Sequence, residues 1–288
     1  MPNTPWDIQG KIVLVTGASS GIGKATATEL ARQGANVVLL CRNRSKGEST
    51  VSEIHNQVPQ STVELVVVDL ASLGSIRSAA HEVITRFPQV DVLINNAGLM
   101  PGTREISEDG FEMQFAVNHL APFTLTNLLL SHMKKAAAAR IVTVSSEMHQ
   151  GTTLNFDDLQ SERDYARIRT YKRSKLANVL FTYELARRLA GTRVTANCLH
   201  PGVVATDIIR DLPFPLGFVM KAAGAFMLTP EKGARTSVYL ATAPELSSIS
   251  GKYFISCKEK TSSKASHDAS AAKRLWDISA QMAGLQDS

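Results

Sequence analysis

Tyr171 and Lys175 carry the first readable chemistry in this chain. There are five tyrosines, and only Tyr171 has a lysine four positions later. On a helix, positions i and i+4 share one face, so the spacing predicts a phenol and an ammonium one turn apart in a helix over 171–189. A tyrosine titrates near pH 10 and is a poor proton donor or acceptor at neutrality. A fixed cation nearby favours the phenolate. Moving such a pKa to about 7 takes roughly 4 kcal/mol, of which one lysine in a dry cleft supplies much. The competing reading is a surface tyrosine beside a solvated lysine.

A second constellation lies near the N-terminus. Lys11 to Thr16 reads as a buried strand and Gly21 to Gln33 as a helix, joined through Gly17-Ala18-Ser19-Ser20-Gly21-Ile22-Gly23. Glycines after a strand and before a helix let backbone N–H groups approach a pyrophosphate, and the helix N-terminus adds favourable partial charge. The residues expected to cradle a dinucleotide are therefore Gly17, Ser19, Ser20, Gly21, Ile22 and Gly23. The next strand ends in Cys41-Arg42-Asn43, with no acid to bind ribose hydroxyls. A guanidinium at Arg42 forks onto phosphate, which favours NADP(H) over NAD(H), with Ser20 and Lys24 as helpers. Asp69-Leu70 closes the third strand, where the acid either accepts from an adenine amino group or caps the next helix. Asn95-Asn96-Ala97-Gly98 closes the fourth. Ligands of open α/β sheets bind at such carboxyl ends.

The elements that must position these residues alternate along the chain. Strands are expected at Lys11–Thr16, Asn36–Leu40, Val63–Val68, Val90–Asn95, Arg140–Ser145, Arg193–Leu199 and Gly251–Ser256. Helices are expected at Gly21–Gln33, Lys46–Gln57, Leu73–Phe87, Glu108–Lys135 and Tyr171–Leu189. A polar loop over Ser262–Ser270 precedes a last helix near Ala271–Ala283. The pattern predicts an α/β, single-domain Rossmann-type doubly wound sheet over residues 1–288, with about seven mostly parallel strands and helices on both faces.

Composition narrows the function classes. The 288 residues are 44% hydrophobic and 20% charged, with a net charge of +5. The basic residues are scattered, without a dense run or aromatic interleaving, which argues against nucleic acid. Cys41, Cys198 and Cys257 are far apart and form no zinc motif, and their low odd number fits a reducing, cytoplasmic setting. Met1 to Gln9 lacks an apolar core, so no secretory signal is expected, and no run of about 18 apolar residues predicts a spanning helix.

Taken in order, Thr16-Gly-x-x-x-Gly-Ile-Gly23, Asn95-Asn-Ala-Gly98, the pair Ser145-Ser146, Tyr171-x-x-x-Lys175 and His200-Pro201-Gly202 resemble the short-chain dehydrogenase/reductase family over residues 10–256. Cys41-Arg42-Asn43, Asn118-His119-Leu120, Phe156-Asp157-Asp158-Leu159, Ser174 to Asn178, His200 to Val203 and the long insert from Glu147 to Thr170 resemble its retinol dehydrogenase-like group. The resemblance implies a tetrad of Asn118, Ser146, Tyr171 and Lys175. Tyr171 would exchange a proton with the substrate oxygen, and Ser146 would hydrogen-bond that oxygen. Lys175 would lower the tyrosine pKa and bind the nicotinamide ribose, and Asn118 would hold a relay water. Strand alternation does not choose between Ser145 and Ser146; the family pattern favours Ser146. Pro201, Gly202, Val204 and Thr206 would fix the nicotinamide, together with Asp69, Leu70, Asn96, Ala97 and Gly98 along the cofactor. No metal is required. His119 and His200 read as packed or backbone-bonded, and His149 as packed or touching substrate.

Relatives place a substrate-covering lid at 207–228, here rich in Ile, Leu, Phe and Met, ahead of a C-terminal tail and helix at 258–288. An apolar lid implies a lipophilic aldehyde, ketone or alcohol, and is also compatible with ordinary packing or with peripheral membrane contact. Family members often pair through the helices bearing Asn118 and Tyr171, so a homodimer is among the expectations. The leading expectation is an NADP(H)-dependent carbonyl reductase or alcohol dehydrogenase; the alternative is a catalytically silent NADP(H)-binding sensor. A light-driven tetrapyrrole reductase shares Tyr-Lys-x-Ser-Lys, but the cysteine expected near strand four is absent from Leu93-Ile94-Asn95-Asn96.

Overall fold

In the computed structural model, residues 6–204 and 228–285 are described. The first strand, β1 (Ile12–Thr16), is a fully buried run of Ile, Val, Leu, Val and Thr. Its side chains alternate between two cores. Ile12 and Leu14 join one core, and Val13 and Val15 join the other. This two-sided burial is what a continuous β-branched run encodes, and it requires helices on both faces.

β2 (Asn36–Cys41), β3 (Thr62–Val67), β4 (Val92–Asn95), β5 (Ala139–Val144), β6 (Val194–His200), β7 (Tyr253–Ile255) and β8 (Lys258–Lys260) complete one sheet in the order β3-β2-β1-β4-β5-β6-β7-β8. All pairs are parallel except β7 with β8. The order reverses direction beside β1 and β4, where an open sheet forms a crevice at its carboxyl edge.

The helices are α1 (Gly21–Arg32), α2 (Arg44–Gln57), α3 (Leu73–Arg86), α4 (Ala121–Met133), α5 (Arg167–Arg188), α6 (Pro230–Thr242) and α7 (Ala269–Met282). One core contains Leu30, Ile54 and Leu240 from α1, α2 and α6; the other contains Ile76, Leu125, Leu180 and Leu275 from α3, α4, α5 and α7. No helix among the described residues is long and apolar enough to cross a membrane.

Four expectations need correction. The helix expected over Glu108–Lys135 begins later, because Ser107 and Gly110 form a turn and the Glu112 carboxylate caps the chain by accepting from Gln114 N and Phe115 N. One α-turn (Met113–Phe115) and a π-helical turn (Ala116–Leu120) then lead into α4. α5 begins at Arg167, four residues before Tyr171, which sets Tyr171 one turn inside the helix. The loop expected over Ser262–Ser270 contains a 3₁₀ turn, Lys264–His267, and α7 starts at Ala269 because Asp268 accepts from Ser270 N and Ala271 N. An eighth strand exists beyond the seven expected. Ser256 (φ 51) and Cys257 (φ 61) form a two-residue hairpin loop in the left-handed region, as the right-handed twist of the flanking strands demands.

α7 lies along α5. Trp276 stacks on Phe181, with centroids 5.9 Å apart, and meets Phe123 of α4 edge-on at 4.9 Å. Pairs of this kind add about 0.5–1.5 kcal/mol beyond area burial.

Candidate active site

A cleft of about 1000 Å³ opens at the carboxyl edge of the sheet. At one end lies the glycine turn between β1 and α1. Gly17 donates to Leu40 O at 2.8 Å, tying the turn to β2, and its φ of 64 suits glycine. Asn96 Nδ2 donates to Thr16 O at 2.8 Å, and Thr16 Oγ1 accepts from Asn96 N and Ala97 N at 2.9 and 3.0 Å. A Cβ on Gly23 would fall 2.3 Å from Gly17 O, so only glycine permits this approach. Ser20 spends no side-chain bond capping α1 and lines the cleft, which leaves the helix's first N–H groups facing an open cradle. That cradle fits the pyrophosphate of a dinucleotide.

Every cofactor residue read from the sequence lines the cleft, apart from Thr206, which lies outside the described residues together with lid positions 207–227. Arg42 is exposed at the end of β2 and makes no ion pair among the described residues. Lys24 is paired with Glu53 of α2 and does not line the cleft. Of the two roles weighed for Asp69, capping falls to Ser72, whose Oγ accepts from Ser75 N. The Asp69 carboxylate accepts from Ala71 N at 2.9 Å and lines the cleft beside Leu70.

At the other end, α5 presents Tyr171 and Lys175, both buried, to the cleft. The Lys175 ammonium lies 5.6 Å from the Tyr171 ring centroid and donates to Val144 O at 3.2 Å. The ammonium also lies beside Gly98, where an added Cβ would meet Nζ at 3.1 Å. A buried ammonium with unspent donors fits the hydroxyls of a ribose. Burial pushes the Tyr171 phenol up to about 12, and a hydrogen bond with the Ser146 hydroxyl opposes that rise. Burial draws Lys175 down to about 8. Desolvation of the phenolate sets the direction of the Tyr171 shift, opposite to the lowering expected from the spacing.

The serine pair divides its work. Both line the cleft, but Ser145 Oγ is spent as a donor to Lys175 O at 2.7 Å, whereas Ser146 Oγ accepts from Met148 N at 3.2 Å. Asn118 sits in the π-helical turn behind Gly98 rather than on the cleft wall. Its Nδ2 donates to Leu99 O at 2.9 Å and to Ser174 Oγ at 3.0 Å, and its Oδ1 accepts from Leu99 N at 2.8 Å. Both amide protons are used, so the side chain braces the 98–99 corner against α5; any water it held would rest on Oδ1 alone.

The histidines separate. His119 is enclosed by Phe115, Phe123 and Phe181 and contacts Ser279 Oγ at 2.8 Å. His149 is buried behind Ser146 and does not touch the cleft. His200, expected to be packed or backbone-bonded, is buried and also forms part of the cleft wall, with Nε2 3.5 Å from Glu147 Oε2.

Sequence reasoning missed the apolar wall around the substrate end. Met100, Met113 and Val117 line it, and Met148, Ile168 and Val203 stand at its rim with exposures of 37, 42 and 54%. They come from five separate segments, and no local pattern joins them. Val204 and Leu228 pair as an isolated bridge, which fixes where the chain leaves and re-enters this rim.

The sequence model of the short chain dehydrogenase family matches residues 11–213. The chain belongs to that family. It is 48% identical to human retinol dehydrogenase 14, over 98% of this chain and 88% of that protein. Identity to human retinol dehydrogenase 13 is 46%, over 97 and 86%. It therefore falls in the retinol dehydrogenase-like group. A crystal structure of a protein from Mycobacterium Paratuberculosis superposes with a TM-score of 0.80 at 33% identity, covering 98% of this chain and 96% of that one. A structure described as an NAD(P)-dependent gluconate 5-dehydrogenase from Beutenbergia cavernae, with bound NADP, gives 0.71 at 30% identity over 88 and 97%. Oxidoreduction with a nicotinamide cofactor is the function common to the family.

Proposed function

We propose that this chain is an NADP(H)-dependent oxidoreductase that interconverts a lipophilic aldehyde or ketone and its alcohol, with Tyr171 as general acid and base. The observation that carries the reading is the joint burial of Tyr171 and Lys175 on one face of α5, opening on the cleft that ends in the glycine cradle. Arg42, unpaired among the described residues at the end of β2, supports preference for a 2′-phosphate.

The residues divide the chemistry. Gly17 to Gly23 would hold the pyrophosphate, Arg42 the 2′-phosphate, and Lys175 the nicotinamide ribose. A bound nicotinamide would supply or take the hydride. Ser146 holds the substrate oxygen, and Tyr171 OH gives that oxygen its proton during reduction. A phenol held up to about 12 is in the protonated form that reduction needs.

The apolar rim of Met148, Ile168 and Val203 supports a lipophilic substrate, and the relatives' names put retinal first among candidates. The test is a panel of retinal, medium-chain aldehydes, steroids and quinones, followed by loss of NADPH absorbance. Turnover of an apolar carbonyl compound is expected. Tight NADPH binding with no turnover across the panel would instead favour a cofactor-binding sensor.

A further inference from the structure

Ser146 is held from behind by a residue that never reaches the cleft. The Ser146 carbonyl accepts two hydrogen bonds from residue 149: one from the His149 backbone N–H at 3.1 Å and one from the imidazole Nδ1 at 2.7 Å. The other ring nitrogen, Nε2, lies 3.0 Å from the backbone N–H of Ser263. A backbone N–H only donates, so Nε2 accepts and the proton resides on Nδ1. The ring is buried, and its edge meets Tyr253 of β7 at 5.0 Å.

Ser263 is itself fixed by a buried polar cluster. Ser266 Oγ donates to Ser263 O at 2.6 Å, and Ser262 Oγ contacts Ser266 Oγ at 2.6 Å and His267 Nε2 at 3.1 Å. The same Ser262 hydroxyl meets Tyr183 OH at 2.7 Å, and Tyr183 lies on α5, the helix that carries Tyr171 and Lys175. A closed polar path therefore runs from the serine at the end of β5, through the imidazole, to the segment ahead of α7, and back to the helix of the proton donor.

We infer that His149 is a positioning residue: as a neutral Nδ1–H imidazole it sets the orientation of Ser146, and it makes that orientation depend on the segment at 262–267. This rests on the reading of Ser146 as the residue that holds the reacting oxygen. Burial, which lowers the His149 pKa, is consistent with the neutral form. A proton on Nε2 would point at the Ser263 N–H and break the path.

Two substitutions split the imidazole's functions. His149→Gln can still accept from Ser263 N–H but loses the donor to Ser146 O; His149→Asn keeps a donor near the Nδ1 position and cannot reach Ser263. With NADPH and the best carbonyl substrate of the panel, kcat of His149→Gln is expected to fall about tenfold, the equivalent of one net hydrogen bond, with NADPH affinity unchanged. His149→Asn is expected to recover at least about threefold of that kcat despite a lower Tm. With ring-labelled tyrosine, the NMR signal lost in Tyr171→Phe should shift in His149→Gln in the same direction as in Ser146→Ala. A wild-type Tyr171 signal in His149→Gln, or equal kcat losses in both variants that track Tm, would overturn the assignment. If the wild-type protein turns over no carbonyl compound, the proposed activity fails, and the Tyr171 signal still decides whether His149 positions Ser146.

Discussion

Lys175 is tied to the end of β5 twice: its ammonium donates to Val144 O at 3.2 Å, and its carbonyl accepts from Ser145 Oγ at 2.7 Å. The helix carrying Tyr171 is thereby locked to the strand that ends beside Ser146. Removing the phenol oxygen should leave this lock intact. Tyr171→Phe is therefore expected to bind NADPH within about twofold of wild type while losing turnover by about 10²–10⁴-fold. Near-normal reduction by this variant would remove Tyr171 as proton donor.

Arg42 projects from the strand end with no carboxylate partner among the described residues. Arg42→Asp replaces attraction for a 2′-phosphate by repulsion and supplies an acceptor for ribose hydroxyls. NADPH affinity should fall by about tenfold or more and NADH affinity should rise, as measured by isothermal titration. If neither affinity moves, Arg42 does not contact the nucleotide.

The contact between Gly23 and Gly17 O leaves no room for a methyl group. Gly23→Ala must push the glycine turn away from the N-terminus of α1. A stability loss of about 1–3 kcal/mol, read from denaturant unfolding, should accompany much weaker NADPH binding. Wild-type values for both would contradict the tight approach.

His119 sets an acid limit on the fold. Burial draws its pKa from 6.5 to about 3. Between those values the unfolded chain binds a proton that the native state does not, so stability falls as pH drops. The slope is up to about 1.4 kcal/mol per pH unit for this group, and the loss roughly 5 kcal/mol in all. His119→Gln removes this titration and should flatten the stability profile between pH 6.5 and 3. A variant that loses stability as steeply as wild type would place the acid sensitivity elsewhere.

The strands that carry the cofactor turns were legible because β1, β2 and β4 are buried on both faces and need continuous apolar runs. β8 was not. Lys258-Glu259-Lys260 is wholly exposed, and the hairpin loop before it lacks the Asn-Gly or Asp-Gly pair that usually marks such a turn. Spacing brought Tyr171 and Lys175 together correctly as neighbours. It did not give the direction of the tyrosine shift, because burial depends on the loops packed over the helix and not on the interval between two residues. Asn118 looked like a poor interior helix residue for a sound reason: it occupies a widened turn, where its side chain bonds Leu99 and Ser174.

The packing of Trp276 against Phe123 and Phe181 bears on how copies of the chain could assemble. A homodimer that used the face of α4 and α5 covered by Trp276 would have to displace α7. Removing α7 would uncover the rings of Phe123 and Phe181, an aromatic surface prone to self-association.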